Sequence, residues 1–476
     1  MGKGIVRSVG RQRACYFTRK AMLAASVLML AVALGGKSAG MEAGVARVDI
    51  TPPPGLPMYG YFPRIKNHQL STGTLDLLYA RVLVLAVGEK RVALVALDLG
   101  RTFGKSLLDE LEQRARMQNG ISFLVVTASH THAGPNILDE YAPGETPAWE
   151  TRALRAIETA IGEACRQLKP VRFGVGYGSV EIGYNRRVVN PDGTVTMLWS
   201  NPTKRPTAPV DPTVGVLRID TADGSPLAIL INYACHPVIF GEDNLSYSAD
   251  FPGVTTELVR QAFGGKPLCM FLQGADGDID PYYASTPLAE GAVKWRDWTG
   301  EQLALEAIKV SRGIQTRIEP EASLQFIEGI VRVRPRWDPK KFRDGLLAAF
   351  GPKVFEDHAD LFAQKPLSEL ELPVTVLLID KQIAFVGMPG EPFVDFQVAW
   401  RARCPVPYTF FLGYTNGYFD YFPTLRAASE GGYGAGDSNT YVAVGAGERM
   451  LDKALEHVYE MLGKMPDLPE DLRGVK

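Results

Sequence analysis

The run RVALVALDLGRTFGKSLLDELEQRARMQNGISFLVVTASHTHAGPN, residues 91–136, carries the pattern on which the fold turns. Two stretches of β-branched and apolar residues, Val92–Leu99 and Ile121–Ala128, read as strands. Between them Lys105–Met117 repeats its apolar positions with helical spacing. The same alternation extends outward. Ala46–Ile50, Leu78–Val87, Ala228–Ala234, Pro267–Leu272, Val374–Asp380, Ile383–Gly387 and Tyr408–Gly413 read as strands. Thr151–Gln167, Phe251–Phe263, Gly300–Val310, Pro392–Arg403 and Gly445–Met461 read as helices. The expectation is an α/β fold with mixed β-sheets flanked by helices, in a single large catalytic domain over residues 41–476. No repeat, low-complexity tract or Ser/Gly linker divides the chain, and Arg332 to Pro366 reads as a flap or insertion.

The first forty residues are of another kind. A basic stretch with Lys3, Arg7, Arg11, Arg13, Arg19 and Lys20 precedes an apolar run from Ala21 to Leu34, then the small residues Gly35, Gly36, Ser38, Ala39 and Gly40. That order is the signature of a secretory signal peptide, and the apolar run is short for a membrane span of about 20 residues. The expectation is an exported protein, periplasmic or extracellular, with no transmembrane segment in its mature form; an uncleaved N-terminal anchor is the alternative. Seven of the 51 basic residues and none of the 53 acidic ones precede position 41, so the remainder carries 44 basic against 53 acidic groups, a formal charge of −9. A mildly acidic chain argues against nucleic acid as a partner. Cys165, Cys235, Cys269 and Cys404 lack metal-ribbon or redox spacing and are expected as free thiols.

Histidine is scarce, and three of the six stand just past apolar strands: His130 and His132 after FLVVTAS, His236 after AILINYAC. Strand ends at a sheet edge are where α/β proteins bind ligands. Strand alternation would put His130 and His132 on one face. The loop MPGEP offers Glu391 after the strand IAFVG, and GYTNGYFDYFP, residues 413–423, follows YTFFL. Imidazole and carboxylate are suitable zinc donors. Position alone leaves hydrogen-bonded structural histidines open. A metallo-β-lactamase run is excluded, because Ala133, Gly134 and Pro135 stand where its acid and histidine would be.

Seven motifs then carry a resemblance: ARVDITP (46–52), VALDLG (95–100), TASHTHAGPN (127–136), NYACHP (232–237), QGADGDIDP (273–281), GMPGEPF (387–393) and GYTNGYFDYFPT (413–424). In order and character they resemble the neutral/alkaline non-lysosomal ceramidases over roughly residues 44–460. The resemblance implies Zn²⁺ held by His130, His236, Glu391 and Tyr421. It further implies His132 as a proton-handling neighbour, Tyr433 on the substrate side and Arg186 facing substrate, with Arg187 competing for that role. Two departures stand out. The family's G-D-[VI]-S-P element reads Gly277-Asp278-Ile279-Asp280-Pro281 here, so Asp280 replaces a serine needed for activity. Ceramidases also carry an immunoglobulin-like C-terminal domain, and this sequence stops after the last helix of the catalytic part.

The activity so implied is hydrolysis of an N-acyl amide, ceramide or a more polar amide, by metal-activated water. His132 or Asp280 would move the proton to the leaving amine. Asp280 is equally readable as a turn residue, and Asp276, Asp278 and Asp280 fail as a calcium loop because Pro281 and Pro287 occupy its glycine and glutamate positions. Two alternatives accompany this reading: a zinc or two-metal esterase or phosphatase using Asp98, Asp250, Asp278 and Asp280, and a non-catalytic binding protein.

Overall fold

A computed structural model describes Met1 and residues 40–141, 144–319, 321–358 and 368–466; the expected signal segment lies almost wholly outside that range. The first part of the chain contributes β1 (Glu42–Asp49), β2 (Tyr79–Val87), β3 (Lys90–Leu97), α1 (Lys105–Asn119), β4 (Phe123–Ala128), α2 (Ala148–Arg166) and β5 (Lys169–Ser179). Next come β6 (Gly183–Asn185), β7 (Thr213–Thr221), β8 (Pro226–Tyr233), α3 (Asp250–Ala262), β9 (Leu268–Gln273), β10 (Ile279–Pro281) and α4 (Ala292–Gly313). The last part adds β11 (Leu324–Val333), α5 (Pro339–His358), β12 (Leu370–Ile379), β13 (Ile383–Gly387) and β14 (Glu391–Pro392). It ends with α6 (Val394–Arg403), β15 (Tyr408–Leu412), β16 (Tyr421–Phe422) and α7 (Ala446–Met461).

Two sheets result. The larger runs β9-β8-β7-β5-β1-β2-β3-β4 and the smaller β11-β12-β13-β15. Both are mixed: β8 with β9, β3 with β4 and β13 with β15 are parallel, and the other pairs are antiparallel. Alternation sorts each strand between two cores. Val82, Val84, Val95 and Val126 pack with Leu108, Leu111, Ile157 and Ile161 of α1 and α2. Their neighbours Leu83, Leu85, Leu94 and Val125 pack with Leu377, Ile379, Phe385 and Phe410 of the smaller sheet. The smaller sheet turns Val376, Leu378 and Val386 outward to Trp400 of α6 and Met450 of α7. The layers are therefore helix, sheet, sheet, helix, and strands buried on both faces are apolar throughout. This is the mixed-sheet α/β architecture expected.

Three long strands had no counterpart among the expected ones: β5, β7 and β11. In β5, KPVRFGVGYGS, one face holds Gly174, Gly176 and Gly178 where alternation would show apolar side chains. A Cβ at these positions would lie 2.3 Å from Ile314 Cγ2, 2.9 Å from Val310 Cγ1 and 2.2 Å from Glu306 Oε1. Close approach of α4 thus replaces side-chain contact on that face, which erases the period-2 signal. Among the described residues no helix is long and apolar enough to cross a membrane. Among the described residues the cysteines are free thiols, Cys235 and Cys269 buried, Cys165 and Cys404 partly so.

Candidate metal and catalytic centre

Each proposed ligand lies shortly after the C-terminal end of a strand that has a parallel partner. His130 follows β4, His236 follows β8, Glu391 follows β13 and Tyr421 follows β15. Parallel neighbours end on the same side, so their loops meet there. The meeting is fastened by side chains: Gln273 Nε2 donates to Ser129 O at 3.0 Å and to Cys235 O at 2.9 Å, one residue ahead of each histidine. Asn416 donates its backbone N–H to Val126 O and accepts from Val126 N at 2.8 Å, tying the tyrosine-rich loop to β4.

Strand alternation does not explain the histidine pair. β4 ends at Ala128, and His130 sits in the left-handed region at φ 69°, a costly backbone for a non-glycine residue and one that clusters at functional sites. The turn nevertheless brings the rings together, His132 Nε2 lying 3.1 Å from His130 Nε2. His130 Nδ1 is 2.6 Å from Gly100 O, and His236 Nδ1 is 2.6 Å from Asp276 O. A carbonyl only accepts, so each Nδ1 carries hydrogen and each Nε2 can present its lone pair. Both lone pairs point at one carboxylate: Glu391 Oε2 is 3.1 Å from His236 Nε2 and 3.6 Å from His130 Nε2. Tyr418 OH donates to the other oxygen, Glu391 Oε1, at 2.5 Å, and Tyr59 OH lies 2.9 Å from Tyr418 OH. Tyr421 stands opposite Glu391 in the parallel pair of β14 and β16, and burial beside that carboxylate raises its phenol well above the usual value. His130, His132 and His236 offer donor atoms all within 4.8 Å of one another, with only His132 partly open to solvent.

The electrostatics ask for a cation. Burial pushes His130 down to about 3, against the pull of Glu391, and burial with the neighbouring imidazoles lowers His132. Glu391 is held down at about 2: burial would raise it, but His130, His236 and the Tyr418 hydrogen bond outweigh that. Burial would lower His236, and Asp276 with Glu391 instead lift it to about 9. A proton on His236 Nε2 would thus occupy the space between imidazole and carboxylate that a metal ion fills in a site of this donor type. Two neutral imidazoles, each locked through Nδ1 to a carbonyl, and one ionised carboxylate fit Zn²⁺.

Beside this centre lies a second group. Arg186 donates from NH1 to Asp280 Oδ1 at 3.1 Å, and from NH2 to Gly277 O at 2.8 Å and Tyr421 OH at 3.0 Å. Its guanidinium carbon is 5.2 Å from the Tyr433 ring centre and 5.8 Å from that of Trp199. Tyr433 in turn packs edge-on to Trp199 and Tyr421. Arg187 is turned away, donating to Gly431 O, Ala427 O and Glu430, so Arg186 is the arginine at the site.

The acids of the two-metal alternative are engaged elsewhere. Asp98 pairs with Arg81 at 2.6 Å, Asp250 accepts from the backbone of Ile239 and Phe251, and Asp278 accepts from Val394 N and Asn185 Nδ2. Each carboxylate thus has partners away from the histidines, and the donor atoms of His130, His132 and His236 lie close enough together to hold a metal ion.

Sequence reasoning left out Gln273, Tyr418, Tyr59, Tyr414 and Asp276. Tyr414 stacks on His130 at 4.2 Å and donates to Asp276 Oδ1 at 2.7 Å, while Asp276 Oδ2 lies 3.4 Å from His236 Nδ1. The aromatic density of GYTNGYFDYFP was the available signal for Tyr414 and Tyr418, and the strand-end position of QGAD for Gln273 and Asp276.

Comparison with known proteins gives the family and the fold. A family model described as neutral/alkaline non-lysosomal ceramidase, N-terminal, matches residues 41–286. The neutral ceramidase from Pseudomonas aeruginosa is a structural neighbour at TM-score 0.70 and 18% identity, over 90% of this chain and 76% of that one. A ceramidase complexed with C2 matches with the same TM-score, identity and coverage. At that identity the likeness concerns the fold.

Proposed function

The chain belongs to the neutral/alkaline non-lysosomal ceramidase family, and from that premise we propose that it is an exported, zinc-dependent hydrolase cleaving an N-acyl amide. The observation that carries this reading is the convergence of the His130 and His236 Nε2 atoms on the buried Glu391 carboxylate, each imidazole oriented by a carbonyl at 2.6 Å. His130, His236 and Glu391 would hold the ion, with Tyr421 as the fourth protein ligand. Zn²⁺ bound there supplies Lewis-acid chemistry, bringing the pKa of water down to about 7 and polarising a carbonyl.

The chain's own groups divide the remaining work. Tyr433, packed against Tyr421, orients the substrate carbonyl, and Arg186 holds the substrate through its unpartnered Nε–H. His132 handles the proton at Nε2. It is the partly exposed member of the histidine cluster, held by Tyr59 and Tyr61 rings at 5.5 and 5.2 Å and by Arg64 on its carbonyl. Water adds to the carbonyl carbon and gives a proton to His132 Nε2, the C–N bond breaks, and the amine leaves with that proton. Asp280 is engaged with Arg186, which favours His132 over Asp280 for that step.

The test is joint measurement of metal and turnover. Purified protein is expected to contain about one zinc per chain and to hydrolyse a short-chain ceramide or simpler N-acyl amine. His130→Ala and Glu391→Ala are each expected to lose both properties. Retention of zinc in either variant, or two metal equivalents in the parent, would count against the assignment.

A further inference from the structure

Arg186 and Asp280 form a buried pair: 5% and 3% of their surfaces are exposed, and NH1 to Oδ1 is 3.1 Å. Backbone pairing holds the two strands in register, β6 beside β10, with Tyr184 opposite Asp280 and Arg186 N donating to Asp278 O. The guanidinium's other contacts, Gly277 O and the Tyr421 hydroxyl, are uncharged as hydrogen-bonding groups. Its Nε is buried and has no partner within the protein. Around it stand the rings of Tyr421, Tyr433 and Trp199, and Trp199 is 50% exposed. The arrangement is an aromatic-walled recess that holds the unpartnered Nε–H of a guanidinium whose positive charge is already matched.

A buried donor without an acceptor costs free energy until a ligand supplies one. The charge balance limits which acceptor. A carboxylate entering the recess would lose its hydration, meet a guanidinium already paired and stand beside the Asp280 carboxylate. Juxtaposed like charges in such a place disfavour binding. A hydroxyl or carbonyl oxygen meets the same N–H with no such penalty. Specificity built by repulsion of the wrong partner works in this way.

We propose that Asp280 is a specificity-determining residue that restricts the site to N-acyl amides with uncharged amine parts, and that it excludes N-acyl amino acids by neutralising Arg186. This inference rests on the hydrolase reading above and names its substrate class.

The experiment uses the zinc-loaded full chain and two substrates with one acyl group, N-lauroylethanolamine and N-lauroylglycine. The parent is expected to favour the neutral substrate in kcat/KM by tenfold or more. Asp280→Asn keeps the side-chain volume and frees the arginine charge, and the glycine-to-ethanolamine ratio is expected to rise by about tenfold or more. Binding of the same two compounds to the metal-depleted protein, followed by calorimetry, should shift in the same sense. Should Asp280→Asn fail to fold, Asp280→Ser admits water beside Arg186 and carries the same expectation. A ratio unchanged within twofold, in turnover and in binding, would overturn the role of Asp280 and leave the hydrolase reading standing. Absence of turnover on every amide in all proteins would sink the hydrolase reading instead, and the binding ratio would still decide the role of Asp280.

Discussion

Tyr418 donates to the Glu391 oxygen that does not face the imidazoles, and Tyr59 backs it. Groups that orient a ligand in this way are typically worth 10–100-fold in metal affinity. Tyr418→Phe keeps the ring and removes only the donor, so zinc affinity is expected to fall by about that factor, as read by chelator competition, while the unfolding midpoint in urea moves little. A second prediction concerns Glu150, which is fully buried with Oε2 unpartnered. Burial raises its carboxyl to about 7, against a hydrogen bond from Tyr141 and the pull of Arg101. An acid raised on folding binds its proton more tightly in the native state, so stability is fullest below the unfolded value near 4.5 and falls as pH climbs to about 7, then levels. Glu150→Gln removes this component. Between pH 5 and 7 its urea stability should depend on pH less steeply than the parent's by about 1.4 kcal/mol per unit. Equal slopes would refute the buried ionisation. At this scale position alone marked His130, His236 and Glu391 as strand-end candidates, because strand ends announce themselves as apolar runs that stop, and only the family resemblance joined them into one proposed site. Tyr418 and Asp276 were not, since their roles depend on partners 27 and 138 residues away in sequence.

Among the elements, β3 and β4 were recovered from sequence because they are buried on both faces and their apolar residues run unbroken. β5 escaped because Gly174, Gly176 and Gly178 make room for α4, and α4 itself begins at Ala292, ahead of its expected start at Gly300. Its early turns are held by aromatic stacking, Trp295 on Tyr283 at 3.7 Å, a tertiary contact that helical periodicity does not register. A related close approach gives an element-scale prediction. β1 lies directly on α2 at Gly44, where a Cβ would stand 2.0 Å from Ala164 O. Backbone cannot rotate aside as a side chain does, so Gly44→Ala is expected to cost about 1–3 kcal/mol in urea unfolding. Gly73→Ala meets nothing closer than 3.6 Å and serves as the comparison. Equal stabilities would mean that the helix and strand are less closely packed than described. The histidine pair shows the limit of periodic reasoning from the other side: the two rings do share a site, but through a left-handed turn at His130 and not through strand alternation.

For the whole molecule, the architecture follows from one arrangement, two mixed sheets whose parallel-paired strands end on a common side and there deliver the donors. Under the proposal that a basic and apolar leader is removed on export, the mature chain would start just ahead of β1. Amino-terminal sequencing of secreted protein is expected to give a start close to residue 41; recovery of the full leader on cell-associated protein would favour an anchor. The substrate was not legible, because ring packing and the charge match between Arg186 and Asp280 define the recess, and neither is visible in spacing. The central claim is a single hydrolytic zinc held by segments far apart in the chain, and diffraction from crystals of the zinc-loaded protein at the zinc absorption edge tests it most directly. The expected result is one anomalous peak at about 2.0–2.2 Å from His130 Nε2, His236 Nε2 and a Glu391 carboxylate oxygen; a map with no peak there, or with the metal held by other side chains, would contradict it.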